Sequence, residues 1–247
     1  MRLKCIACDV MARPVYFAAA LSPHTVDVTM QPFGLHMRPN KLRETLQAQV
    51  DEVDPARGYD AVVLAYGLCG KATDGLKAAQ LPLIIPRAHD CITLFLGGKG
   101  RYAEEFERCP GTYWYVRDFV ERSALDPIPL SMGGYTSDDA DAIFAEFVEK
   151  YGEDNARYLV DVLGNWQSHY ERAAYVDLEI GEGSDAAEKA RSDADANGWR
   201  FEQLTGDLVL IKRLLWGDWG EDDFLVLQPG ETIEMIGGAE IIQVAKP

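Results

Sequence analysis

Short, continuous apolar runs alternate along this chain with longer segments whose apolar residues recur every three or four positions. The runs at residues 3–7, 61–65 and 83–86 have the length and composition of fully buried strands. Between the first two, residues 41–53 carry apolar side chains at helical spacing. Strands that alternate with helices indicate βαβ units, so the pattern predicts an α/β fold with a mainly parallel open sheet flanked by helices.

The second half of the chain also alternates between helical and strand-like segments, which favours a second, smaller α/β lobe. Residues 126–135 are rich in proline and glycine and form the best candidate for a linker. We therefore expect an N-terminal lobe over residues 1–125, which carries the cysteine site described below, and a C-terminal lobe over residues 126–247. Helical spacing after the linker predicts helices over residues 137–151 and 155–163.

The formal net charge of −16 narrows the range of partners that we expect. An acidic surface repels nucleic acid and anionic lipid, because both are bound chiefly through lysine and arginine. No apolar run reaches the roughly 18 residues of a membrane-spanning helix, and the N-terminus lacks the long apolar stretch of a secretory signal. We expect a cytoplasmic protein that binds neither nucleic acid nor membrane.

Three of the five cysteines lie at or just beyond the ends of the apolar runs: Cys8, Cys69 and Cys91. In an open parallel sheet, ligands bind outside the carboxyl ends of the strands, so three sulfur atoms at that edge suggest a shared site. Cytosolic thiols are usually reduced, which argues against a disulfide framework. The thiols can meet only if their three strands are neighbours in the sheet. The alternative is that each cysteine is a small buried apolar residue.

Three thiolates at one edge favour a metal site. A catalytic zinc ion commonly has three protein ligands and one open position for water or substrate. A [4Fe-4S] cluster held by three cysteines leaves one iron open, although four cysteines are the usual set. We therefore expect zinc, or alternatively a [4Fe-4S] cluster, held by Cys8, Cys69 and Cys91. Cys5 and Cys109 are set aside, because Cys5 points to the opposite face of its strand from Cys8 and Cys109 lies in a surface turn.

The segment after the third apolar run concentrates groups capable of chemistry: Arg87, His89 and Asp90. His89 could act as a fourth ligand or a proton donor, since imidazole titrates near neutral pH. Asp90 could cap the helix that begins at Cys91, or orient His89. Arg87 could hold a carboxylate or phosphate, or pair with one of the chain's many acids. A hydrogen-bonded structural histidine is the alternative for His89.

Two further features complete the candidate site. His36 lies just past a predicted strand, from which it could reach the same edge as an acid, a base or a ligand, with a plain loop histidine as the alternative. Gly67 and Gly70 lie in the turn after the second apolar run, and with Arg87 they are the candidate cofactor-binding positions. No standard nucleotide-binding motif supports them, because a GxGxxG after the first strand and a Walker A sequence are both missing.

A set of short segments carries a recognisable pattern: Ile6-Ala7-Cys8, Gly34-Leu35-His36, Tyr66-Gly67-Leu68-Cys69-Gly70, Arg87-Ala88-His89-Asp90-Cys91 and Pro110-Gly111-Thr112-Tyr113, followed by Gly217-Asp218-Trp219, Phe224-Leu225-Val226 and Pro229-Gly230. Together they resemble a bacterial and archaeal family catalogued as a domain of unknown function. The resemblance covers most of the chain and implies that the two lobes form one family unit. Genes of this family are often described near corrinoid methyltransferase systems. The resemblance implies no established activity, and points only towards one-carbon or sulfur metabolism.

These observations favour a metal-thiolate enzyme that acts on a small thiol, amine or sulfur compound, as a zinc- or iron–sulfur-dependent transferase or lyase. With a corrinoid protein or methyltransferase as partner, the reaction would be methyl transfer. One alternative is a non-catalytic accessory protein that binds a metal, a corrinoid or a metabolite for a methyltransferase system. Another is a metal-free hydrolase that uses Cys69 or Cys91 with His89. A homodimer is the expected assembly if the chain is not a monomer.

Overall fold

The structure is a computed structural model that describes residues 1–123 and 169–246, together with positions 148, 152 and 153. The predicted linker over residues 126–135 lies outside the described residues. The helices predicted over residues 137–151 and 155–163 fall there as well, apart from position 148.

The strands of the described residues agree closely with the apolar runs. They are β1 (Arg2–Cys8), β2 (Thr25–Gln31), β3 (Ala61–Ala65), β4 (Leu83–Pro86), β5 (Thr112–Tyr115), β6 (Arg172–Asp177), β7 (Arg200–Thr205), β8 (Phe224–Leu227), β9 (Ile233–Met235) and β10 (Ile242–Val244). The helices are α1 (Ala12–Ala20), α2 (Pro39–Asp51), α3 (Cys91–Phe95), α4 (Lys99–Arg108), α5 (Arg117–Ser123), α6 (Ala186–Asn197) and α7 (Val209–Leu215). Strands and helices therefore alternate, and the predicted α/β class is confirmed.

The main sheet has five strands in the order β2-β1-β3-β4-β8. The first four are parallel, and β8 joins the edge antiparallel to β4. Every residue of β3 and β4 is buried, because strands covered on both faces need apolar side chains throughout. The edge strand β2 is partly exposed along its length. A mainly parallel open sheet, as predicted from the sequence, is thus confirmed.

The two crossovers from β1 to β2 and from β2 to β3 run in opposite directions across this sheet. Because parallel crossovers are right-handed, α1 and α2 are placed on opposite faces. α7 shares the face of α1, where the Trp216 indole donates to the carbonyl of Ala18 at 3.3 Å and the Ser22 hydroxyl donates to that of Leu215 at 2.7 Å. None of the helices in the described part of the chain has the length and apolar character needed to cross a membrane.

The chain forms two compact units, each built from more than one stretch of the sequence. Unit 1 comprises residues 1–105, 177–182 and 205–247, and unit 2 comprises residues 106–176 and 183–204. The reason is a long-range pairing, since β8 near the end of the chain pairs with β4 and so belongs to the first sheet. Unit 2 holds a three-stranded sheet in the order β5-β6-β7, whose first two strands are parallel.

Candidate functional site

The three cysteines of interest all lie at the carboxyl edge of neighbouring strands in unit 1. Cys8 is the last residue of β1, Cys69 lies in the loop after β3, and Cys91 is the first residue of α3, which follows β4. Strand β3 pairs with β1 on one side and with β4 on the other. The three strands are therefore neighbours in the sheet, which is the arrangement that the thiols need if they are to meet.

This edge is also the topological switch point of the sheet. The chain leaves β1 towards β2 on one side and leaves β3 towards β4 on the other, so the connections diverge between β1 and β3. Diverging connections open a crevice outside the carboxyl ends of the strands, which is where open α/β sheets bind ligands. Cys8 and Cys69 follow the two strands that border this crevice.

Two loops build the centre of the site: the β3 loop (residues 66–70) and the β4 loop (residues 87–90). The amide of Leu68 donates to the carbonyl of Ala88 at 2.8 Å, and the amide of Cys69 donates to the carbonyl of His89 at 2.9 Å. Two backbone hydrogen bonds thus join the loops directly, beyond the ends of β3 and β4. This pairing fixes the backbone of Cys69 against the residues that lead into Cys91.

Gly67 is required for this close approach. A Cβ at Gly67 would lie 2.6 Å from the amide nitrogen of Asp90 and 2.7 Å from its Cα, both far inside van der Waals contact. These are backbone atoms, which cannot move aside as a side-chain tip does. The hydroxyl of Thr73 also donates to the carbonyl of Gly67 at 3.3 Å. Gly67 therefore serves to bring the two loops together, which is a structural reason for its place in the motif.

The backbone at the end of the β3 loop, and at Lys71 directly after it, turns through the left-handed region. Cys69 has a φ of 45°, Gly70 a φ of 64° and Lys71 a φ of 74°. Glycine adopts this region freely, whereas other residues do so at a cost of roughly 1–2 kcal/mol. Strained non-glycine residues of this kind cluster at functional sites. The strain at Cys69 favours a role for its thiol, since glycine would satisfy the backbone better.

Asp90 caps helix α3 as the sequence predicted. Its carboxylate accepts from the amides of Ile92 at 3.0 Å and Thr93 at 3.4 Å. The cap fixes Cys91 at the first helical position, at the end of the helix where backbone amides are free of helical partners. Burial raises the pKa of Asp90, and the same backbone amides oppose that rise.

Burial, and after it neighbouring negative groups, disfavour the ionised form of the Cys69 and Cys91 thiols. Both Cys69 and Cys91 retain partial contact with solvent, while Cys8 is buried. Burial raises the pKa of the Cys69 thiol to about 12, with the Asp90 charge adding to the effect. Burial also raises the pKa of the Cys91 thiol, followed by the charges of Asp90, Cys69 and Cys8. The mutual influence of the thiols reflects their proximity, and all five cysteines are free of disulfides.

Within the part of the chain that the structure describes, no three side chains of His, Cys, Asp or Glu stand close enough to hold one metal ion. The strand order thus brings Cys8, Cys69 and Cys91 to one edge without converging their sulfur atoms on a single point. Their assignment as metal ligands stays a prediction.

A histidine and two tyrosines surround this edge. The rings of His89 and Tyr102 have centroids 5.6 Å apart, and the Tyr102 hydroxyl donates to the Asp90 carboxylate at 3.4 Å. Tyr66, the first residue after β3, is only 2% exposed, and its hydroxyl has no hydrogen-bond partner among the described residues. Its pKa is raised by burial and then by the charges of Cys8 and other nearby acids, which include Cys69. Tyr66 belongs to a motif quoted from the sequence and Tyr102 does not, but neither was a candidate site residue, because a single tyrosine carries no spacing signal.

The remaining candidates have structural contacts of their own. His36 lies in the 3-10 turn Phe33–Met37 after β2, where its Nδ1 is hydrogen-bonded to the carbonyl of Phe33. The Arg87 guanidinium donates to the backbone carbonyls of Glu221 at 2.8 Å and Glu240 at 3.1 Å. It also pairs with the Glu240 carboxylate at 3.2 Å, as the ion-pair interpretation of Arg87 anticipates. The roles of His36 and Arg87 towards a ligand stay predictions.

Cys5 and Cys109 differ from the other three cysteines. Cys5 is fully buried within β1, and burial raises its pKa to about 12. Cys109 lies in unit 2, three residues before the buried strand β5. Its side chain is buried, so the expected surface turn at this position is wrong. Both remain outside the candidate site.

Comparison with known protein families identifies the chain. The family described as "Protein of unknown function (DUF1638)" matches residues 30–215, and the chain belongs to this family. The match includes Cys69 and Cys91 and begins after Cys8. Neither the curated proteins nor the solved structures include a significant match.

Proposed function

We propose that this protein is a metal-thiolate enzyme whose Cys8, Cys69 and Cys91 hold zinc, or alternatively a [4Fe-4S] cluster, at the carboxyl edge of the main sheet. The single observation that supports it most is the placement of these cysteines after three adjacent parallel strands, at the switch point where open sheets bind ligands. The substrate class is a small thiol, amine or sulfur compound.

The donor set and its surroundings fit a cation better than an anion. The strongest electrostatic influences on Cys91 come from Asp90, Cys69 and Cys8, all of which are negative when ionised. A divalent cation would favour ionisation of the thiols and offset the negative charge that they then add to that of Asp90. The unpartnered hydroxyl of Tyr66 beside the same residues is also consistent with a ligand in the crevice. Side-chain rotation of the thiols is required, since their sulfur atoms do not already share a point.

Each of the surrounding residues has a task in this proposal. The paired loops hold Cys69, and the Asp90 cap holds Cys91. His89, which packs against the ring of Tyr102, receives or delivers a proton at its imidazole. His36 is a second proton carrier. Bound zinc would supply a coordinated thiol or water as a nucleophile near neutral pH, and a cluster would supply an open iron as a Lewis acid.

The metal-free hydrolase is less well supported. A cysteine nucleophile works as a thiolate, which a histidine cation, a basic side chain or a long helix normally stabilises. Here burial and neighbouring negative charge raise the pKa of both Cys69 and Cys91. The thiols would therefore be protonated without a cation, and protonated thiols are poor nucleophiles.

The accessory-protein alternative shares the same site and differs only in what the site does. In this alternative, the protein binds the metal, a corrinoid or a metabolite for a methyltransferase system and catalyses no reaction itself. A corrinoid protein or methyltransferase as partner, and assembly as a homodimer, are parts of the proposal that rest on the family resemblance and on general frequency. The proposal also places the protein in the cytoplasm, where thiols stay reduced.

Elemental analysis and an optical spectrum of protein purified without oxygen separate these functions. One zinc per chain, lost on Cys69→Ser and kept in Cys109→Ser, is the result expected for the zinc site. Brown protein with absorption at about 400 nm indicates the cluster instead. No metal, together with one thiol that reacts rapidly with an alkylating reagent, would overturn the proposal in favour of the hydrolase. Turnover of a methyl-thiol substrate by the metal-loaded protein then distinguishes the enzyme from the accessory protein.

A further inference from the structure

Unit 1 exposes a cluster of large apolar side chains on the outer side of helices α1 and α7. Among the described residues, seven large apolar side chains are between 39% and 55% exposed, and six of them belong to this cluster. We call it the α1–α7 face, and its members are Met1, Tyr16, Phe17, Leu21, Val209 and Trp216. The seventh, Phe106, lies in unit 2. Single exposed apolar residues are normal on a protein surface, whereas a cluster of them marks an interaction site.

The α1–α7 face is continuous because its two helices pack side by side. The Trp216 indole donates to a backbone carbonyl of α1 at 3.3 Å, which holds the carboxyl ends of the helices together. The ammonium group of Lys212 lies 6.0 Å from the centre of the Phe17 ring. His24 connects the first residue of the chain to this group, since its ring nitrogens lie 3.3 Å from the amino group of Met1 and 3.1 Å from the carbonyl of Trp216. The exposed side chains of both helices therefore form one patch.

The area of the α1–α7 face suits an interface between two proteins. Its six side chains are 39% to 54% exposed. Side chains of this size have about 200 Å² of surface each, so together they present roughly 500–600 Å² of apolar surface. A standard interface buries about 800 Å² on each partner, of which about 65% is apolar in homodimers. The face thus provides the apolar area that one side of a stable dimer needs.

Acidic side chains are missing from both helical segments that form the face. Asp and Glu make up 40 of the 247 residues, yet residues 10–26 and 208–217 contain neither. Two copies that each carry a formal net charge of −16 repel one another wherever their carboxylates meet. They associate most readily through segments without acid, and the α1–α7 face consists of such segments. A basic partner would instead be attracted to a surface rich in carboxylates.

The construction of the face from two neighbouring helices also suits contact with an identical face. Ridges of side chains on one helix pair fit into the grooves of another pair. Because each copy then uses the same residues, the contact is isologous and closes at two copies. Tyr16 and Trp216 are of the residue types that contribute most to binding at the centres of interfaces.

We propose that the α1–α7 face is the interface of a symmetric homodimer, in which each copy covers the exposed apolar side chains of the other. The proposal goes beyond the proposed function, because it involves no residue of the cysteine site and needs no metal.

The test is analytical ultracentrifugation of the full-length protein at micromolar concentrations. The wild type is expected to sediment as a dimer of two 27.4 kDa chains. Tyr16→Glu places a carboxylate on each side of the apolar contact and is expected to weaken the dimer by roughly thirtyfold or more. Phe106→Glu is the matched control, because it introduces the same group at a side chain that is 55% exposed, against 53% for Tyr16, outside the face. Its dissociation constant is expected to equal that of the wild type.

Two further measurements separate dissociation from unfolding. Glutamate forms helices well, so the far-UV circular dichroism of both variants is expected to match that of the wild type. Val209→Glu repeats the test on the other helix, where a carboxylate in the first turn favours the helix, and it is expected to weaken the dimer as well. A wild type that is monomeric, whether or not it binds vesicles of neutral phosphatidylcholine, would overturn the proposal. A dimer that Tyr16→Glu and Val209→Glu weaken no more than Phe106→Glu does would also overturn it.

Discussion

Replacement of Gly67 by alanine tests the close pairing of the two loops that carry the candidate site. The added Cβ would lie 2.6 Å from the amide nitrogen, 2.7 Å from the Cα and 2.9 Å from the carbonyl carbon of Asp90. The loops must separate to admit it. Gly67 itself does not have a left-handed backbone, so the effect of the substitution comes from this contact alone.

The magnitude follows from what the separation breaks. Two backbone hydrogen bonds join the loops, from Leu68 to Ala88 and from Cys69 to His89. Each contributes about 0.5–1.5 kcal/mol net to stability. Overpacking against a rigid backbone adds roughly 1–3 kcal/mol of strain. We expect Gly67→Ala to lower the free energy of unfolding by about 2–6 kcal/mol.

Gly100→Ala is the matched control, because a Cβ there meets no atom within 4 Å and the residue lies inside α4. Alanine is the better helix former by about 1 kcal/mol, so this variant is expected to be as stable as the wild type or more so. The assay is thermal and urea denaturation of both variants under reducing conditions. We expect the midpoint of Gly67→Ala to fall by at least about 5 °C. A Gly67→Ala variant within about 0.5 kcal/mol of the Gly100→Ala variant would refute the close-contact argument.

Three further predictions address the strain, the charges and the arginine near the site. In urea denaturation, Cys69→Gly is expected to be more stable than Cys69→Ala by about 0.5–1 kcal/mol, because only glycine adopts the left-handed backbone at position 69 without strain. The opposite order of stability would show that the loop is unstrained. In unit 2, burial would raise the pKa of Glu202, but hydrogen bonds from Arg108 and the buried Arg172 hold it below its usual value of 4.5. The ionised Glu202 carboxylate contributes its whole share of the free energy of unfolding above pH 4.5. That contribution disappears as the pH falls through the lowered pKa of Glu202 in the folded state. Glu202→Gln is therefore expected to lose about 3 kcal/mol at pH 7 and progressively less below pH 4.5, and a difference that does not depend on pH would contradict this account. Finally, Arg87→Met is expected to lower the free energy of unfolding by about 2 kcal/mol, because the carbonyls of Glu221 and Glu240 lose their hydrogen-bond donor. The metal content of this variant is expected to equal that of the wild type. Loss of metal in a stable variant would show that Arg87 holds a ligand.

The parts of the fold that depend on local pattern could be predicted from the sequence. The uninterrupted apolar runs at residues 61–65 and 83–86 coincide with β3 and β4, since a strand buried on both faces has no polar positions. Asp90 was predicted as a cap because a short acidic side chain directly preceded a helical segment. The helical spacing over residues 41–53 corresponds to α2, which begins two residues earlier at Pro39, because the fixed φ of proline suits the first helical turn.

Features that depend on distant parts of the chain could not be predicted. β8 pairs with β4, but an apolar tetrapeptide gives no indication of which strand it will join. The need for glycine at position 67 comes from the backbone of Asp90 in another loop. Tyr66 and Tyr102 became candidates only when burial and contacts were known. The same holds for the three thiols, whose spacing along the chain says nothing about how their strands are ordered.

The most direct test of the central claim is X-ray absorption spectroscopy at the edge of the metal that the anaerobically purified protein contains. The account predicts three sulfur ligands at about 2.3 Å from each zinc ion, or the iron–sulfur and iron–iron distances of a cluster. Serine at position 8, 69 or 91 should remove one sulfur ligand or the metal itself, and serine at position 109 should leave the spectrum unchanged. A coordination sphere of oxygen and nitrogen alone, or the same spectrum in all four variants, would contradict it.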